Sequence, residues 1–168
     1  MAGLVPAIHA FYRAALSIRG CPALRPGMTP VSGGSKKGST AMTSLLLAFL
    51  GGGIGAGARH GVNVAVLRAI GPGFPWATLI VNVSGSLLMG LLAGYLAFLA
   101  GGNLSQHARL FLATGVLGGY TTFSAFSLDT ALLVERGATG QALLYVLGSV
   151  LLSILGLFAG LWLVRALT

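Results

Sequence analysis

The chain carries four long apolar segments separated by short polar or glycine-rich connections. They run about Ser44 to Val66, Trp76 to Ala100, Leu110 to Val134 and Ala142 to Val164. A helix of about 20 apolar residues is enough to cross a bilayer, so each segment is long enough. Because the connections are short, neighbouring segments run antiparallel. The pattern predicts an all-α integral membrane protein with four transmembrane helices in each subunit.

The third apolar segment is interrupted in its middle. Residues that weaken a helix or compete for its backbone hydrogen bonds are concentrated there: Gly118, Gly119, Thr121, Thr122 and Ser124. Irregular backbone at membrane depth is tolerated only where it is buried in protein or lines a wet cavity. Phe123 and Phe126 lie three residues apart and therefore share one helix face. We expect a third helix that is broken mid-membrane and whose break lines an ion pathway.

Composition supports a membrane location and excludes several classes of protein. The 168 residues are 55% hydrophobic and 7% charged, whereas soluble domains carry about 25% charged residues. Cys21 is the single cysteine, which excludes an intramolecular disulfide and a Cys-rich metal site. The net charge is +8, but the basic residues are scattered near segment ends, so we expect no nucleic-acid partner. No constellation of nucleophile and base points to an enzyme.

Residues 1–41 differ from the rest of the chain. They contain four of the six prolines, five of the ten basic residues and a Gly/Ser run from Ser32 to Thr40. A secretory signal is disfavoured because the charges follow the apolar run instead of preceding it, whereas a mitochondrial-type transit peptide stays open. We favour a third hypothesis: translation begins at Met42, residues 1–41 are a non-native or disordered extension, and residues 42–168 form the transmembrane domain.

The loop charges predict no fixed orientation for a chain that starts at Met42. With four crossings, Arg109 and Arg165 lie on one side of the membrane, and Arg59, Arg68 and Arg136 lie on the other. Two charges against three give almost no bias under the positive-inside rule. Such a chain can insert both ways and pair as an antiparallel, dual-topology homodimer. Residues 1–41 would change the balance to seven against three and impose one orientation.

Polar side chains mark one face of the second segment. Thr78, Asn82 and Ser86 follow one another at intervals of four residues and so lie on the same helix face. A buried amide in lipid must be hydrogen-bonded or wet. A polar contact between helices and a pore lining are both open for Asn82, and the interrupted third segment favours the pore lining.

The fourth segment and the end of the first carry further candidates. Tyr145, Ser149 and Ser153 repeat every four residues, either bonding back to helix carbonyls or forming a polar stripe that faces the Asn82 helix. Arg59 ends the glycine-rich part of the first segment. Its side chain either snorkels to the interface or attracts anions into a vestibule.

The candidate lining groups are hydrogen-bond donors without fixed charge. They are the amide of Asn82 and the hydroxyls of Thr78, Thr122, Ser124 and Tyr145. The phenylalanine ring edges add a weakly positive rim. Such a lining suits a small, strongly hydrated anion, which it can bind without holding fast. Carbonyls freed between Gly118 and Thr121 favour a cation instead, so the residues alone leave both signs of ion open.

Three stretches carry a resemblance to a known family. They are Gly52 to Arg59 (GGIGAGAR), Trp76 to Ser86 (WATLIVNVSGS) and Gly118 to Ser127 (GGYTTFSAFS). They resemble the Fluc (CrcB) family of fluoride channels, in the same order and on the same segments. The resemblance covers residues 42–168 and none of 1–41. It implies passive fluoride exit through two pores of an antiparallel homodimer of four-helix subunits, as a multi-pass protein of the bacterial inner membrane.

The resemblance also implies roles for individual residues. Asn82 matches the pore asparagine, and Phe123 and Phe126 match the paired pore phenylalanines. The polar track would comprise Thr78, Ser124, Tyr145 and Ser149. Backbone carbonyls of Gly118 and Thr121 would hold a structural sodium ion (Na+) at the dimer centre. Three residues depart from the family pattern: Ala125 stands where threonine is usual, Asp129 where glutamate is common, and Ala77 where glycine is usual.

Two other functions were weighed. A proton-coupled small multidrug exporter has four short helices too, but it needs a membrane-embedded carboxylate to exchange a proton for a cation. Asp129 and Glu135 are the only carboxylates, and both follow the phenylalanine pair late in the third segment. A purely structural subunit would explain the glycines but not the interrupted segment beside Asn82. The fluoride channel is the favoured hypothesis.

Overall fold

The structure, a computed structural model, describes residues 36–99 and 105–167, and every regular element among them is helical. The all-α class is therefore confirmed. In chain order the elements are α1 Lys36–Ile70, α2 Trp76–Gly94, a π-helical turn Tyr95–Leu99, α3 Gln106–Arg109, a π-helical stretch Leu110–Leu117, α4 Gly118–Tyr120, α5 Phe123–Glu135 and α6 Thr139–Ala166.

Within the described ranges, three helices are long and apolar enough to cross a membrane. They are Ala41–Ile70, Trp76–Phe98 and Thr139–Ala166. Large apolar side chains point outwards from them: Phe49 is 75% exposed and Trp162 is 68% exposed. An apolar exterior of this extent is what a lipid surrounding requires. The chain is a multi-pass membrane protein.

The third predicted segment is built differently from the other three. α3 begins after Ser105, whose hydroxyl accepts a hydrogen bond from the Ala108 N–H at 3.2 Å as an N-cap. The helix then widens into the π-helical stretch Leu110–Leu117 and ends with α4. Since no single helix covers this segment, it is not among the three spanning helices, and the fourth crossing stays a prediction.

Glycines bring α1 into direct contact with the third segment. Gly51 and Gly55 of α1 face Gly115 and the turn from Val116 to Gly119. A Cβ added at Gly51 would lie 2.9 Å from the Gly115 Cα, and one added at Gly55 would collide with the Val116 carbonyl oxygen. The two helices therefore touch backbone to backbone, which is how small residues allow close helix packing in lipid.

The contact between α2 and α6 is the most extensive in the fold and uses the same device. Gly90 lies against the Leu157 carbonyl oxygen, and Gly160 lies against the backbone between Leu87 and Leu91. Added Cβ atoms at either glycine would meet backbone atoms that cannot rotate away. This interface fixes the spacing between the two helices that carry most of the predicted polar lining.

Two tight connections complete the arrangement. Gly71 (φ +88°) follows α1 and Gly137 (φ +74°) follows α5, in the left-handed conformation that ends many helices. Only residues 136–138 separate α5 from α6, so the two helices form a hairpin. Leu133, Ala142 and Tyr145 are buried inside it.

The predicted boundary at Met42 stays a prediction. Residues 1–35, which make up most of the proposed extension, lie outside the described residues. Among those described, α1 is already helical from Lys36.

Candidate functional site

Two residues in extended conformation separate α4 from α5. Thr121 has φ −75° and ψ 155°, and Thr122 has φ −152° and ψ 119°. The side chain of Asn82 on α2 pairs with the backbone of Thr122 at this point. Its Oδ1 accepts the Thr122 N–H at 2.9 Å, and its Nδ2 donates to the Thr122 carbonyl at 3.1 Å. Asn82 thus gives the Thr122 N–H a partner in place of the helical one that it lacks.

Threonine hydroxyls hold the backbone on both sides of this break. Thr121 donates from its backbone N–H and from its Oγ1 to the Leu117 carbonyl, each at 3.0 Å. Thr122 is the N-cap of α5, because its Oγ1 accepts the Ala125 N–H at 3.2 Å. Its Oγ1 also lies 3.1 Å from the Ser124 hydroxyl. These bonds explain why the chain leaves the helix here.

The sequence predicts an interruption between Gly118 and Ser124, and the chain leaves the helix within that stretch. Of the residues that predict it, Gly118 and Gly119 remain helical in α4, and a break in mid-membrane stays a prediction. Gly119 instead permits close packing, since a Cβ there would lie 2.8 Å from the Gly52 Cα. The break falls at Thr121 and Thr122, where the side chain of another helix offers the backbone an alternative partner.

An aromatic row begins at the break and runs into the protein. The ring centroids of Phe123 and Phe126 are 5.4 Å apart, and those of Phe126 and Tyr145 are 5.3 Å apart. Phe123 is 77% exposed, whereas Tyr145 is fully buried. The Tyr145 hydroxyl donates a hydrogen bond to the Asp129 Oδ2 at 3.2 Å. The row therefore leads from the surface of the subunit to a half-buried carboxylate.

A cavity of about 380 Å³ lies beside the break, between α2, α5 and α6. Its polar lining comes from Asn82 and Ser86 on α2, from Thr121 and Thr122 at the break, and from Ser149 and Ser153 on α6; Phe123 and Phe126 form part of its apolar wall. The Ser149 Oγ is buried and makes no hydrogen bond. We call this space the break cavity. It offers uncharged donors next to an aromatic wall.

A second cavity has a volume of about 260 Å³, and we call it the turn cavity. It is lined by the connection between α1 and α2, by Thr78, by Asp129 of α5 and by Arg136, which directly follows α5. Asn63 of α1 also lines it, and the Asn63 Oδ1 is buried without a hydrogen-bond partner. Tyr145 contacts Phe126 in the wall of the break cavity and Asp129 in the wall of the turn cavity. Tyr145 thus contacts the walls of both cavities.

The family model for CrcB-like proteins (camphor resistance, CrcB) matches residues 46–161. This chain belongs to the CrcB family. The resemblance read from the three sequence motifs is confirmed.

Several members of the CrcB family are similar to this chain over almost their whole length. A fluoride-specific ion channel FluC of Rhodopseudomonas palustris (strain BisB5) is 67% identical over 123 residues, which are 73% of this chain and 98% of the relative. A fluoride-specific ion channel FluC 2 of Nitrobacter hamburgensis is 64% identical, with the same coverage. One named fluoride-specific ion channel FluC, from Beijerinckia indica, is 58% identical over 127 residues, or 76% of this chain and 100% of the relative.

Within this CrcB-family chain, the predicted pore and vestibule residues fall into three groups. Five line the break cavity, namely Asn82, Thr122, Phe123, Phe126 and Ser149. Thr78 lines the turn cavity, and Tyr145 contacts a residue in the wall of each cavity. Ser124 bonds only to Thr122, and Arg59 lines neither cavity. The vestibule role of Arg59 stays a prediction.

The hydrogen bond between Asp129 and Tyr145 was missed from the sequence. From the sequence, a helix cap or an ion pair is the expected role of Asp129, and the structure instead gives it a tyrosine donor. The signal was present, because the two residues stand at similar distances on either side of the tight connection between α5 and α6. An antiparallel hairpin brings such positions together.

The two predicted sodium ligands can be examined for free carbonyl groups. In a continuous helix the Gly118 carbonyl would accept the Thr122 N–H, but that N–H donates to Asn82. The Thr121 carbonyl would accept the Ala125 N–H, but that one donates to the Thr122 hydroxyl. Carbonyl oxygens are ligands that hard cations prefer. The Gly118 and Thr121 carbonyls have thus lost their helical donors and are oxygen ligands of the kind that sodium takes, and the sodium site itself stays a prediction.

Proposed function

We propose that this chain is a subunit of a fluoride-selective ion channel that gives fluoride a passive way out of the cell and so lowers fluoride in the cytoplasm. The break cavity carries this proposal, because it joins uncharged donors, a pair of phenylalanine rings and a helix break in one place. The relatives named as fluoride-specific ion channels support it over almost their whole length. Their names are those of channels and not of enzymes, and they do not favour a multidrug exporter.

The lining chemistry explains how fluoride would be bound without being trapped. Asn82 Nδ2 carries two hydrogens and uses one of them on Thr122, so the second remains for an ion. The Ser149 hydroxyl is buried without a partner and can donate to an anion. Ring edges of Phe123 and Phe126 add weak positive potential. No lysine or arginine lines the break cavity, so nothing there would hold the anion tightly.

The path would continue past Tyr145 into the turn cavity. Fluoride leaving the phenylalanine wall would meet the Tyr145 hydroxyl, which now donates to Asp129. To donate a hydrogen bond to fluoride, the Tyr145 hydroxyl must rotate away from the Asp129 carboxylate. The Thr78 hydroxyl, in the wall of the turn cavity, would be the next donor. Arg136 in the wall of the turn cavity would attract anions to its opening. We propose that these groups pass fluoride between the two cavities.

We infer that the third segment is the fourth membrane crossing and is broken at Thr121 and Thr122. The helical run from Gln106 to Tyr120 and the following α5 supply 28 helical residues between them, or roughly 40 Å at 1.5 Å per residue. Backbone packing of this run along α1 supports the inference. The pairing of Asn82 with Thr122 supplies the internal hydrogen bonds that a break in lipid needs.

We also propose that two subunits pair antiparallel as a homodimer. Phe123 is 77% exposed although it stands at the break cavity, and Gly118 beside the break is exposed too. A second copy would cover both. A sodium ion at the dimer centre would be held by the Gly118 and Thr121 carbonyls, where it would neutralise their partial negative charge. The nearly balanced loop charges of residues 42–168 support the antiparallel arrangement.

Orientation is tested with one introduced cysteine. Ser105 is exposed at the start of α3, so a Ser105→Cys change in the chain starting at Met42, which lacks Cys21, places a single thiol there. In vesicles made from the chain starting at Met42, we expect a membrane-impermeant maleimide to label about half of the copies from each side. Labelling from one side alone would contradict the antiparallel dimer.

The channel itself is tested by fluoride efflux from liposomes that contain the purified full chain. Valinomycin provides the counter-flow of potassium, an electrode records the anion, and chloride is the comparison. We expect fast loss of fluoride and negligible loss of chloride, with no flux from protein-free liposomes. Absence of fluoride flux from a folded, dimeric protein would reject the proposed function.

A further inference from the structure

We propose that Asn82 is a positioning residue for the sodium site: its side chain removes the Thr122 N–H from the Gly118 carbonyl and so leaves that carbonyl free for the cation. The inference rests on the proposed function, because the sodium ion belongs to it. It assigns Asn82 a second role, beyond lining the break cavity, and links the ion pathway on α2 to the cation at the break.

The hydrogen-bond pattern locates where the helix loses its regular partners. The Thr121 N–H still donates to the Leu117 carbonyl at 3.0 Å, four residues back, as in any α-helix. One residue later the pattern fails, because the Thr122 N–H donates to the Asn82 Oδ1 at 2.9 Å. The first carbonyl of the helix that loses its donor is therefore that of Gly118, one of the two predicted sodium ligands.

The Asn82 Oδ1 captures the Thr122 N–H, and the Nδ2 of the same amide adds a second bond. Its Nδ2 donates to the Thr122 carbonyl at 3.1 Å while its Oδ1 accepts the N–H. The two bonds hold Thr122 in the extended conformation at φ −152°, which is far from the helical value of about −63°. Without Asn82, the helix could continue by one residue, and the Thr122 N–H would return to Gly118.

The second predicted ligand loses its donor in a different way. The Ala125 N–H, which would otherwise return to the Thr121 carbonyl, donates to the Thr122 Oγ1 at 3.2 Å. Asn82 acts on Gly118 only. The structure therefore separates the two halves of the site: a change at Asn82 should remove one ligand carbonyl and leave the N-cap of α5 in place.

The experiment measures the unfolding midpoint of the purified full chain in detergent, in sodium buffer and in N-methyl-D-glucamine buffer of equal ionic strength. A ligand that binds only the folded state raises the midpoint, so the difference between the buffers reports sodium binding. The variants are Asn82→Ala, which removes both bonds, and Asn82→Asp, which keeps an oxygen to accept the Thr122 N–H. Ser86→Ala is the control, because Ser86 lines the same cavity one turn along α2 and bonds to nothing at the break.

We expect the wild type, Ser86→Ala and Asn82→Asp to show the sodium-dependent rise, and Asn82→Ala to lose it. A general loss of stability would lower the midpoint of Asn82→Ala in both buffers and leave the difference intact, so a merely structural role gives a different result. A full sodium-dependent rise in Asn82→Ala would overturn the inference and leave the proposed function standing. If Asn82→Ala does not fold, Asn82→Asp decides, and loss of its rise overturns the inference.

Failure of the proposed function would look different. A wild type whose midpoint is the same in both buffers would reject the sodium site and this inference with it. The fluoride efflux of that same wild-type protein, measured independently, would then show whether the channel proposal survives without sodium.

Discussion

Gly55 offers a sharp test of how the break is held in place. The change Gly55→Ala adds one methyl group on the face of α1 that touches the third segment. Its Cβ would lie 2.7 Å from the Tyr120 nitrogen and closer still to the Val116 carbonyl oxygen. These are backbone atoms, so no side-chain rotation can make room. α1 must move away from the helix that ends at the break.

The size of the effect follows from a matched control on the same helix. An added Cβ at Gly57 meets nothing within 4 Å. Both alanines gain up to about 1 kcal/mol of helix propensity over glycine, so that gain cancels in the comparison. Overpacking costs about 1–3 kcal/mol, which leaves Gly55→Ala less stable than Gly57→Ala by about that amount. For a chain of this size we expect roughly 2–4 °C in the unfolding midpoint per kcal/mol.

The assay has two parts. Size-exclusion chromatography monitors thermal unfolding in detergent and gives the unfolding midpoint, and fluoride efflux is measured from liposomes. We expect Gly57→Ala to match or exceed the wild-type midpoint and to keep its efflux. Gly55→Ala should lose stability and efflux together, since a shift of Tyr120 displaces the adjacent break. Equal midpoints and equal efflux for the two variants would refute the backbone-to-backbone contact between α1 and the third segment.

Three further changes probe the site itself. Phe126→Ile should lower fluoride efflux roughly tenfold while the dimer stays intact on size-exclusion chromatography. Phe158→Ile, away from both cavities, should leave efflux unchanged. Normal efflux from Phe126→Ile would show that the Phe126 ring is not part of the pathway. Tyr145→Phe keeps the ring packing but leaves Asp129 without its donor, at a cost of about 1–3 kcal/mol, so we expect a lower unfolding midpoint and lower efflux, and unchanged efflux would count against a path past this hydroxyl. Thr122→Val should destabilise the protein by about 1 kcal/mol through loss of the N-cap of α5, while Thr122→Ser should not; equal unfolding midpoints for the two would exclude the capping role.

The length of the apolar segments was sufficient to predict the long helices. The segments predicted at about Ser44 to Val66 and Ala142 to Val164 correspond to α1 and α6, and each real helix extends past the predicted ends by a few residues. This shortfall has a simple cause: a helix continues through polar residues until a turn such as that at Gly71 ends it, whereas hydropathy stops at the last apolar residue.

The details of the break could not be read from local sequence. Thr121 and Thr122 have no stronger helix-breaking tendency than Gly118 and Gly119, yet the threonines are extended and the glycines helical. The choice depends on Asn82, about 40 residues away, and on close packing of glycines that only the folded arrangement reveals. Long-range partners decided the conformation, so a single-sequence argument could place the break in a region but not at a residue.

The sequence singled out residues that the fold brings around one cavity, and their role as a pore lining stays a prediction. Asn82, Phe123 and Phe126 were singled out by chemistry and by resemblance, and they do lie around one cavity. The turn cavity was not foreseen, because Asn63 and Arg136 come from elements far apart in the sequence. No spacing rule brings such residues together before the fold is known.

The glycine contacts also bear on motion. Helices that alternate between two packings do so by sliding over side chains that can exchange partners. Backbone meets backbone between α1 and the third segment and between α2 and α6. At these contacts no change of side-chain rotamer can allow one helix to slide along the other. The frame around the break cavity is therefore stiff by construction. A passive ion channel needs a pore that keeps its shape, whereas an alternating-access transporter needs helices that move against each other. The packing in this subunit suits the channel.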